Sequence, residues 1–313
     1  MSDMILQTDW LDPARAHLVQ AALDMPDRVA PGTPLPPFFH QLYFWDPQPP
    51  GGLGRDGHPK VGGIIPDMGL PRRMWAGGRL RFHAPLLAGA KAEKRTICEN
   101  AVHKTGRSGP LGFVTLKHEI WQDGRLCVTE WQDLVYREDP EPGPASPDSP
   151  AQRTVSATQL SVALEGDSSA IETDRAASPA QAPDPAPDAR PAGPPRARKD
   201  AAETRSRCFD TTLLFRYSAA TCNGHRIHYD LDYARKVEGY SGLVVHGPLL
   251  AQVLMLRAAD VLGSVGAFSF RGHSPVMHFE TVNLCHAPNG DALDLWVAGP
   301  DGRLGMSATA SRD

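Results

Sequence analysis

The stretch GPLLAQVLMLRAADVLG, residues 247–263, constrains the fold more than any other part of the chain. Pro248 suits the first position of a helix and Gly263 suits its end. Apolar residues between them cover most faces, so we predict a helix that is buried on nearly all sides. Because one flat surface cannot cover such a helix, a curved sheet must surround it.

Two β-hairpins supply strands for such a sheet. In residues 113–137 and 291–310, apolar and polar side chains alternate on both sides of an Asp-Gly turn. Both turns read DGRL, at residues 123–126 and 301–304. We infer a duplicated domain, with two unrelated hairpins as the alternative. The predicted fold class is α+β, a double hotdog in which each half is a curved antiparallel sheet around a central helix.

The two halves are not equivalent in sequence. Residues 53–86 are rich in Gly and Pro, so the central helix of the first half is expected to be degenerate or displaced. Residues 139–206 are dominated by Pro, Ala, Asp and Ser and are interpreted as a flexible linker, with the mildly apolar residues 154–164 either disordered or weakly docked. We therefore predict an N-terminal domain over residues 1–138 and a C-terminal catalytic domain over residues 207–313.

Composition excludes several classes of partner. The formal net charge of -4 gives no basic surface for nucleic acid, and no apolar run reaches the length of a membrane span. The 5 cysteines are scattered without a CxxC pair, as reduced thiols are, and the N-terminal residues do not resemble a signal peptide. We expect a cytoplasmic protein.

The stretch CNGHRIHYD, residues 222–230, places four polar side chains in a short loop. We read residues 213–217 before it as a strand and residues 231–237 after it as a short helix. Histidine is the natural general base near neutral pH, so His228 is the candidate base and acid. Asn223 can orient a water molecule by hydrogen bonds, and His225 and Asp230 are further candidates. A metal site is the alternative, but no convincing third ligand and no HExxH motif occur; we expect no metal and no cofactor.

Gly247 lies where the predicted helix begins. Its amide has no partner within the helix and points along the positive end of the helix dipole. Pro248 has no N–H to compete with it. An amide aimed at a thioester carbonyl, with a base and a water nearby, suffices to hydrate an α,β-unsaturated acyl thioester. His246, just before Gly247, is expected to be structural.

These residues resemble the MaoC-like family, the R-specific enoyl-CoA hydratases (hydratase 2) and type 2 hydroxyacyl-thioester dehydratases. The resemblance covers both halves but not the linker, and it is carried by NGHRIHYD, by Gly247, and by LPRRMWAGGRLRFHAPL in the first half. It implies His228 as the catalytic histidine and Gly247 as the oxyanion glycine. The family's usual aspartate is Asn223 here, which leaves His228 as the base, or His225 and Asp230 to share the proton transfer.

The resemblance implies a hydro-lyase acting on a CoA thioester, with 3-methylfumaryl-CoA (mesaconyl-CoA) as the best substrate. The alternatives are an (R)-3-hydroxyacyl-thioester dehydratase of broader range, an acyl-CoA thioesterase, and a non-catalytic acyl-thioester-binding module. The expected partner is acyl-CoA, and the assembly is a homodimer or a pseudo-dimer within one chain. Arginines pair with carboxylates and phosphates, so Arg72, Arg73, Arg79 and Arg226 are candidate substrate or CoA contacts; a solvent-exposed cluster is the alternative.

Overall fold

The computed structural model describes residues 4–26, 28–60, 62–106, 109–139 and 193–312. The described residues form ten strands: β1 (Met4–Trp10), β2 (Arg72–Phe82), β3 (Lys91–Gly106), β4 (Gly109–Gln122), β5 (Arg125–Arg137), β6 (Glu203–Cys208), β7 (Ala267–Gly272), β8 (Thr281–Asn289), β9 (Ala292–Ala298) and β10 (Leu304–Ser311). They also form four α-helices: α1 (Pro13–Ala22), α2 (Thr211–Ala220), α3 (Leu231–Lys236) and α4 (Gly247–Leu262). Three short 3-10 turns occupy Phe39–Leu42, Pro50–Gly52 and Arg226–His228. No helix among the described residues is both long enough and apolar enough to cross a membrane.

All of these strands join one antiparallel sheet in the order β1-β3-β4-β5-β2-β7-β10-β9-β8-β6. The order of the first five strands is repeated in reverse by the last five, as a twofold axis between β2 and β7 requires. The central pair runs from Gly77 opposite Arg271 to Arg81 opposite Ala267. The predicted α+β architecture with two matching halves is therefore observed.

The helix α4 lies against β7, β9 and β10 of the second half and also contacts β2 of the first. Leu249, Leu254 and Met255 are fully buried, as the all-round apolar pattern predicts. Gly263 ends the helix with a φ of +80°, a backbone conformation that glycine adopts without a steric penalty. Apolar residues of both halves belong to one continuous core.

The first half has no counterpart of α4 among the described residues between 23 and 71. The 3-10 turn Phe39–Leu42 lies in the core, and Phe38, Phe39 and Leu42 are fully buried. The Gly- and Pro-rich stretch that was expected to hold a degenerate helix instead contains β2 and irregular loops.

The two halves repeat smaller features as well. The DGRL segments form the turns that join β4 to β5 and β9 to β10, as predicted. In each half the first strand leads into a helix capped by an aspartate, Asp12 for α1 and Asp210 for α2. These matching positions support the duplication hypothesis.

The prediction of a strand over residues 213–217 is wrong, because these residues lie in α2. The Asp210 carboxylate accepts a hydrogen bond from the Leu213 N–H at 2.8 Å and caps the helix. Its buried residues include Leu213, Leu214, Tyr217 and Ser218, and this spacing is helical. A short apolar run does not by itself distinguish a strand from a buried helix.

The predicted linker boundary at residue 206 is also wrong. Strand β6 pairs with β8 along its whole length, from Glu203 opposite His286 to Cys208 opposite Thr281. Upstream of it, the Pro195 carbonyl accepts a hydrogen bond from the Leu304 N–H at 2.7 Å. The sequence of β6 is mostly polar and therefore resembles the linker. Only the pairing of β6 with β8 shows that these residues form a strand. Residues 140–192 of the predicted linker, including 154–164, lie outside the described residues.

Candidate active site between the two halves

A cavity of about 340 Å³ lies between the two halves of the chain. The first half contributes Trp75 from β2, Leu116 from β4 and Leu134 from β5 to its wall. The second half contributes the loop that follows α2 and the start of α4. A largely apolar cleft with a few polar groups is typical of a small-molecule site.

The loop between α2 and α3 presents Asn223, His225 and His228 to this cavity. The Asn223 side-chain oxygen accepts a hydrogen bond from the His225 N–H at 3.1 Å, which folds the loop into a tight turn. The Asn223 amide group is thereby oriented, and its NH₂ remains as a donor. The 3-10 turn Arg226–His228 then places His228 beside the cavity, where it is buried.

A second turn of the same kind comes from the first half. The Asp56 side chain accepts a hydrogen bond from the His58 N–H at 3.0 Å, and His58 lines the same cavity. The two turns pack backbone to backbone, because a Cβ on Gly57 would lie 2.2 Å from the Gly224 carbonyl oxygen. Glycine at both positions therefore allows the two histidines to meet.

Four imidazole rings form a continuous column. The ring centroids of His58 and His225 are 4.9 Å apart, and those of His225 and His228 are 5.6 Å apart. His228 stacks on His246 at 3.6 Å with an interplanar angle of 20°. His246 is fully buried, occupies the N-cap position of α4 and is hydrogen-bonded to Ser218 at 2.8 Å. The expected structural role of His246 is compatible with this position, whereas sequence reasoning assigned His58 no role.

The protonation state of His228 is set by its surroundings. Its Nδ1–H donates to the Val244 carbonyl oxygen at 2.8 Å, and since a carbonyl only accepts, the lone pair belongs to Nε2. Burial and, to a smaller extent, the neighbouring His225 lower the pKa of His228 to about 3. Burial and the charge of Arg73 also lower the pKa of His225 to about 4. Both rings are neutral at pH 7, and His228 can accept a proton through Nε2.

Gly247 begins α4 and lines the cavity close to Trp75. Among the hydrogen bonds of the described residues, none uses its N–H as a donor. The positive end of the dipole of this 16-residue helix therefore meets the cavity through an unpaired amide. This arrangement can stabilise negative charge on a carbonyl oxygen.

Comparison with known proteins agrees with this geometry. A sequence model of the hydroxyacyl-thioester dehydratase type 2 family matches residues 38–169 and 151–278. The chain is 40% identical over 298 residues to the mesaconyl-C(4)-CoA hydratase of Chloroflexus aurantiacus, and this match covers 95% of the chain and 90% of that protein. The chain belongs to the hydroxyacyl-thioester dehydratase type 2 family. The family resemblance in the sequence is confirmed.

Other members and neighbours of the family support the same architecture. The mitochondrial hydroxyacyl-thioester dehydratase type 2 of Schizosaccharomyces pombe is 25% identical over 314 residues, covering 95% of this chain and 93% of that protein. A solved Mycobacterium tuberculosis protein with a double hotdog fold superimposes with a TM-score of 0.54 at 14% identity, covering 99% of this chain and 94% of that one. The double hotdog prediction is confirmed.

Two residues predicted for the site of this family member lie elsewhere. The Arg226 guanidinium donates to one oxygen of Asp230 at 3.0 and 2.7 Å, and it stacks on the Tyr233 ring. The other oxygen of Asp230 caps α3 by accepting from the Tyr233 N–H at 3.0 Å. Neither side chain lines the cavity. Asp230 therefore acts as a helix cap outside the cavity, and a contact of Arg226 with the nucleotide end of CoA stays a prediction.

The three candidate arginines of β2 have different environments. Arg72 is buried in an ion pair with Glu238 of the second half. Arg79 is exposed and its guanidinium lies 5.6 Å from the centre of the Trp131 ring, away from the cavity. Arg73 lines the cavity. The structure thus retains Arg73 and corrects the prediction for Arg72 and Arg79.

The cavity wall also contains polar atoms that sequence reasoning did not identify. The Ser274 hydroxyl and the His273 Nδ1 are buried and have no hydrogen-bond partner among the described residues. A buried hydroxyl without a partner costs free energy unless a ligand or water satisfies it. Among the residues that the structure describes, no three His, Cys, Asp or Glu side chains are grouped as metal ligands would be.

Proposed function

We propose that this protein is a hydro-lyase that adds water to the double bond of an α,β-unsaturated acyl-CoA thioester and catalyses the reverse dehydration. One observation carries the proposal: His228 and the unpaired Gly247 amide border the same cavity in a member of a hydroxyacyl-thioester dehydratase family. Mesaconyl-C(4)-CoA is the best substrate candidate, because the relative at 40% identity is a hydratase of that thioester.

The proposed reaction assigns one step to each group. The Asn223 amide and His225 hold a water molecule, and His228 Nε2 accepts a proton from it as the oxygen bonds to the β-carbon. Electron density moves from the double bond to the thioester carbonyl, whose oxygen accepts a hydrogen bond from the Gly247 N–H. The protonated His228 then gives this proton to the α-carbon, which restores the neutral imidazole. The net change is addition of one water, and the acyl–sulfur bond stays intact.

The neutral His228 supports this assignment. A histidine with a pKa near 3 remains unprotonated at pH 7, so it is ready to act as the base for hydration. Asn223 cannot exchange a proton in this range, so it acts by orientation. The role that an aspartate has in the family motif is thus divided between a neutral amide and the imidazoles.

The test is an assay of the purified protein with mesaconyl-C(4)-CoA and crotonyl-CoA. We expect the absorbance of the conjugated thioester to fall, the product mass to rise by one water, and no thiol to be released. Release of free CoA at the rate of absorbance loss would favour a thioesterase. Binding of the esters without any turnover would favour a binding module and would refute the proposal.

We further propose that the chain acts in the cytoplasm as a pseudo-dimer, with both halves of a hotdog pair in one polypeptide. The pairing of β2 with β7 supports the second point. The cysteines Cys98, Cys127, Cys208, Cys222 and Cys285 are all unpaired, which supports a reducing compartment.

A further inference from the structure

Arg73 brings a positive charge into a cavity whose other described lining residues include no aspartate, glutamate or lysine. The pKa of each of the lining histidines His58, His225, His228 and His273 is lowered by burial, so these rings are neutral at pH 7. Asn223 and Gln132 are neutral as well. Among the described residues that line the cavity, Arg73 is therefore the one with a charge at pH 7, and it is itself half-buried.

Arg72, the neighbour of Arg73 in sequence, has a carboxylate partner within the protein. Arg72 is buried against Glu238, which supplies both a carboxylate and a backbone carbonyl. No carboxylate of the described residues lies within ion-pair distance of Arg73. Charges removed from water are normally paired, because an unpaired charge loses hydration without compensation. The partner of Arg73 is thus expected to be an anion that arrives with the substrate.

The position of Arg73 in the cavity indicates which part of the substrate it contacts. Arg73 and His225 also line a second, small cavity of about 20 Å³, together with Asp56 and with Glu238, the partner of Arg72. The charge of Arg73 also lowers the pKa of both His58 and His225. Arg73 therefore lies at the end of the cavity where the water is activated, whereas the Gly247 amide marks the thioester carbonyl.

We infer that Arg73 is a specificity-determining residue that binds a carboxylate attached to the β-carbon of the enoyl thioester. This inference rests on the proposed function and deepens it. In a 3-carboxy enoyl-CoA, the carboxylate and the attacking water meet at the same carbon, so the carboxylate must lie beside the imidazoles. A guanidinium there pairs with it through two parallel hydrogen bonds. An acyl group with a hydrogen or an alkyl chain in that place leaves the charge unpaired.

The test compares two esters that differ at the β-carbon. In mesaconyl-C(4)-CoA the β-carbon bears a carboxylate trans to the thioester and a methyl group, whereas in crotonyl-CoA it bears a methyl group trans to the thioester and a hydrogen; the CoA part is identical. We expect Arg73→Gln to raise KM for mesaconyl-C(4)-CoA and to lower the ratio of its kcat/KM to that of crotonyl-CoA by about 10²-fold. Arg73→Lys should restore part of this ratio, because it keeps the charge without the planar fork.

Arg79→Gln is the matched control, because Arg79 lies on the same strand and outside the cavity. It should leave the ratio unchanged. An equal loss with both esters in Arg73→Gln would overturn the inference, since Arg73 would then serve the shared CoA part or the fold. Wild-type activity on crotonyl-CoA alone would overturn it too, while the proposed function would stand.

A binding measurement keeps the inference testable if turnover fails. In a His228→Gln background, calorimetry gives the Kd of mesaconyl-C(4)-CoA with and without Arg73→Gln. We expect the added substitution to weaken binding about 10²-fold, with a much smaller effect on crotonyl-CoA. Equal affinities with and without Arg73 would refute the carboxylate contact.

Discussion

His228 combines burial, a fixed tautomer and a stacked neighbour, and these features together define its chemistry. The hydrogen bond to Val244 holds the ring by Nδ1, and His246 supports its face at 3.6 Å. Only Nε2 remains to exchange a proton with a bound water. The neutrality of the ring follows from burial, which penalises the charged form.

We expect His228→Gln to lower kcat by about 10²- to 10⁴-fold, which is the usual contribution of a general acid or base. KM should change little, because the imidazole acts on water more than on the ester. His286→Gln is the control, since His286 is buried to the same extent, with 7% exposure for each residue, and lies outside the cavity. Steady-state hydration kinetics of both variants decide the matter. A His228→Gln enzyme with the wild-type kcat would remove the assignment.

The pH dependence of kcat/KM in the wild type and in an Asn223 variant tests the account of the histidine pKa values. The wild-type kcat/KM should be flat from pH 8 to about 5 without an inflection near 6.5, because the pKa of His228 is lowered to about 3 and that of His225 to about 4. Asn223→Asp keeps the acceptor for the His225 N–H and adds a negative charge, which favours protonated imidazole and raises both pKa values. The acid limb of its profile should therefore move to higher pH. A limb that stays in place or moves to lower pH contradicts this electrostatic account.

At the scale of elements, α4 contributes both apolar core residues and the Gly247 amide of the candidate site. Its apolar faces hold it against the sheet, so its N-terminal amide is fixed relative to the cavity. A Cβ on Gly247 would have the Trp75 carbonyl oxygen at 3.8 Å as its closest contact among the described residues. Packing within the protein thus permits a larger residue, and we attribute the glycine to close approach of the substrate.

Gly247→Ala should therefore fold with an unchanged Tm and lose about 10²-fold in kcat/KM, the effect of a misplacement of about 1 Å. Thermal unfolding and hydration kinetics measure the two quantities. Gly51→Ala is the control, because a Cβ there meets nothing within 4 Å and Gly51 lies outside the cavity. Normal activity of Gly247→Ala would mean that no carbonyl approaches this amide closely.

At the scale of the whole molecule, the β2–β7 pair makes the two halves one unit. The cavity has walls from both halves, and the core is continuous across the pair. A Cβ on Gly77 would lie 2.6 Å from the Phe270 carbonyl oxygen, too close for the two strands to remain paired without a shift. We expect Gly77→Ala to lower the free energy of unfolding by about 1–3 kcal/mol.

Gly272→Ala on the facing strand is the matched control, since its Cβ would meet the Ala76 oxygen at an ordinary 3.5 Å. Urea unfolding followed by tryptophan fluorescence and circular dichroism measures both variants. The two signals should change together, because one core links the halves. Equal stability of the two variants would show that the central pair has room for a side chain.

The sequence indicates the parts of the fold whose patterns are local. The all-round apolar run predicts α4, and the two DGRL turns predict matching hairpins. Strand β6 was missed because its identity depends on pairing with β8, and α2 was misread from a short apolar run. The first error concerns information that lies in distant contacts, and the second concerns an apolar run that fits a strand and a buried helix equally.

The residues of the candidate site were likewise predicted where they lie close together in sequence and missed where they do not. Asn223, His225, His228 and Gly247 were found because they lie within 25 residues of each other. His58 was missed because it reaches the cavity from the other half, although Asp56-Gly57-His58 repeats the pattern of Asn223-Gly224-His225 and was the available signal. The partner of Arg72, Glu238, lies 166 residues away, so no local pattern distinguishes Arg72 from Arg73.

The most direct measurement of the central claim is a crystal structure of His228→Gln with an unreacted enoyl-CoA. The account predicts the thioester oxygen at about 3 Å from the Gly247 nitrogen, with the β-carbon facing residue 228 and a water held by Asn223. A thioester bound with its carbonyl away from the start of α4, or its double bond outside the cavity, would contradict the account.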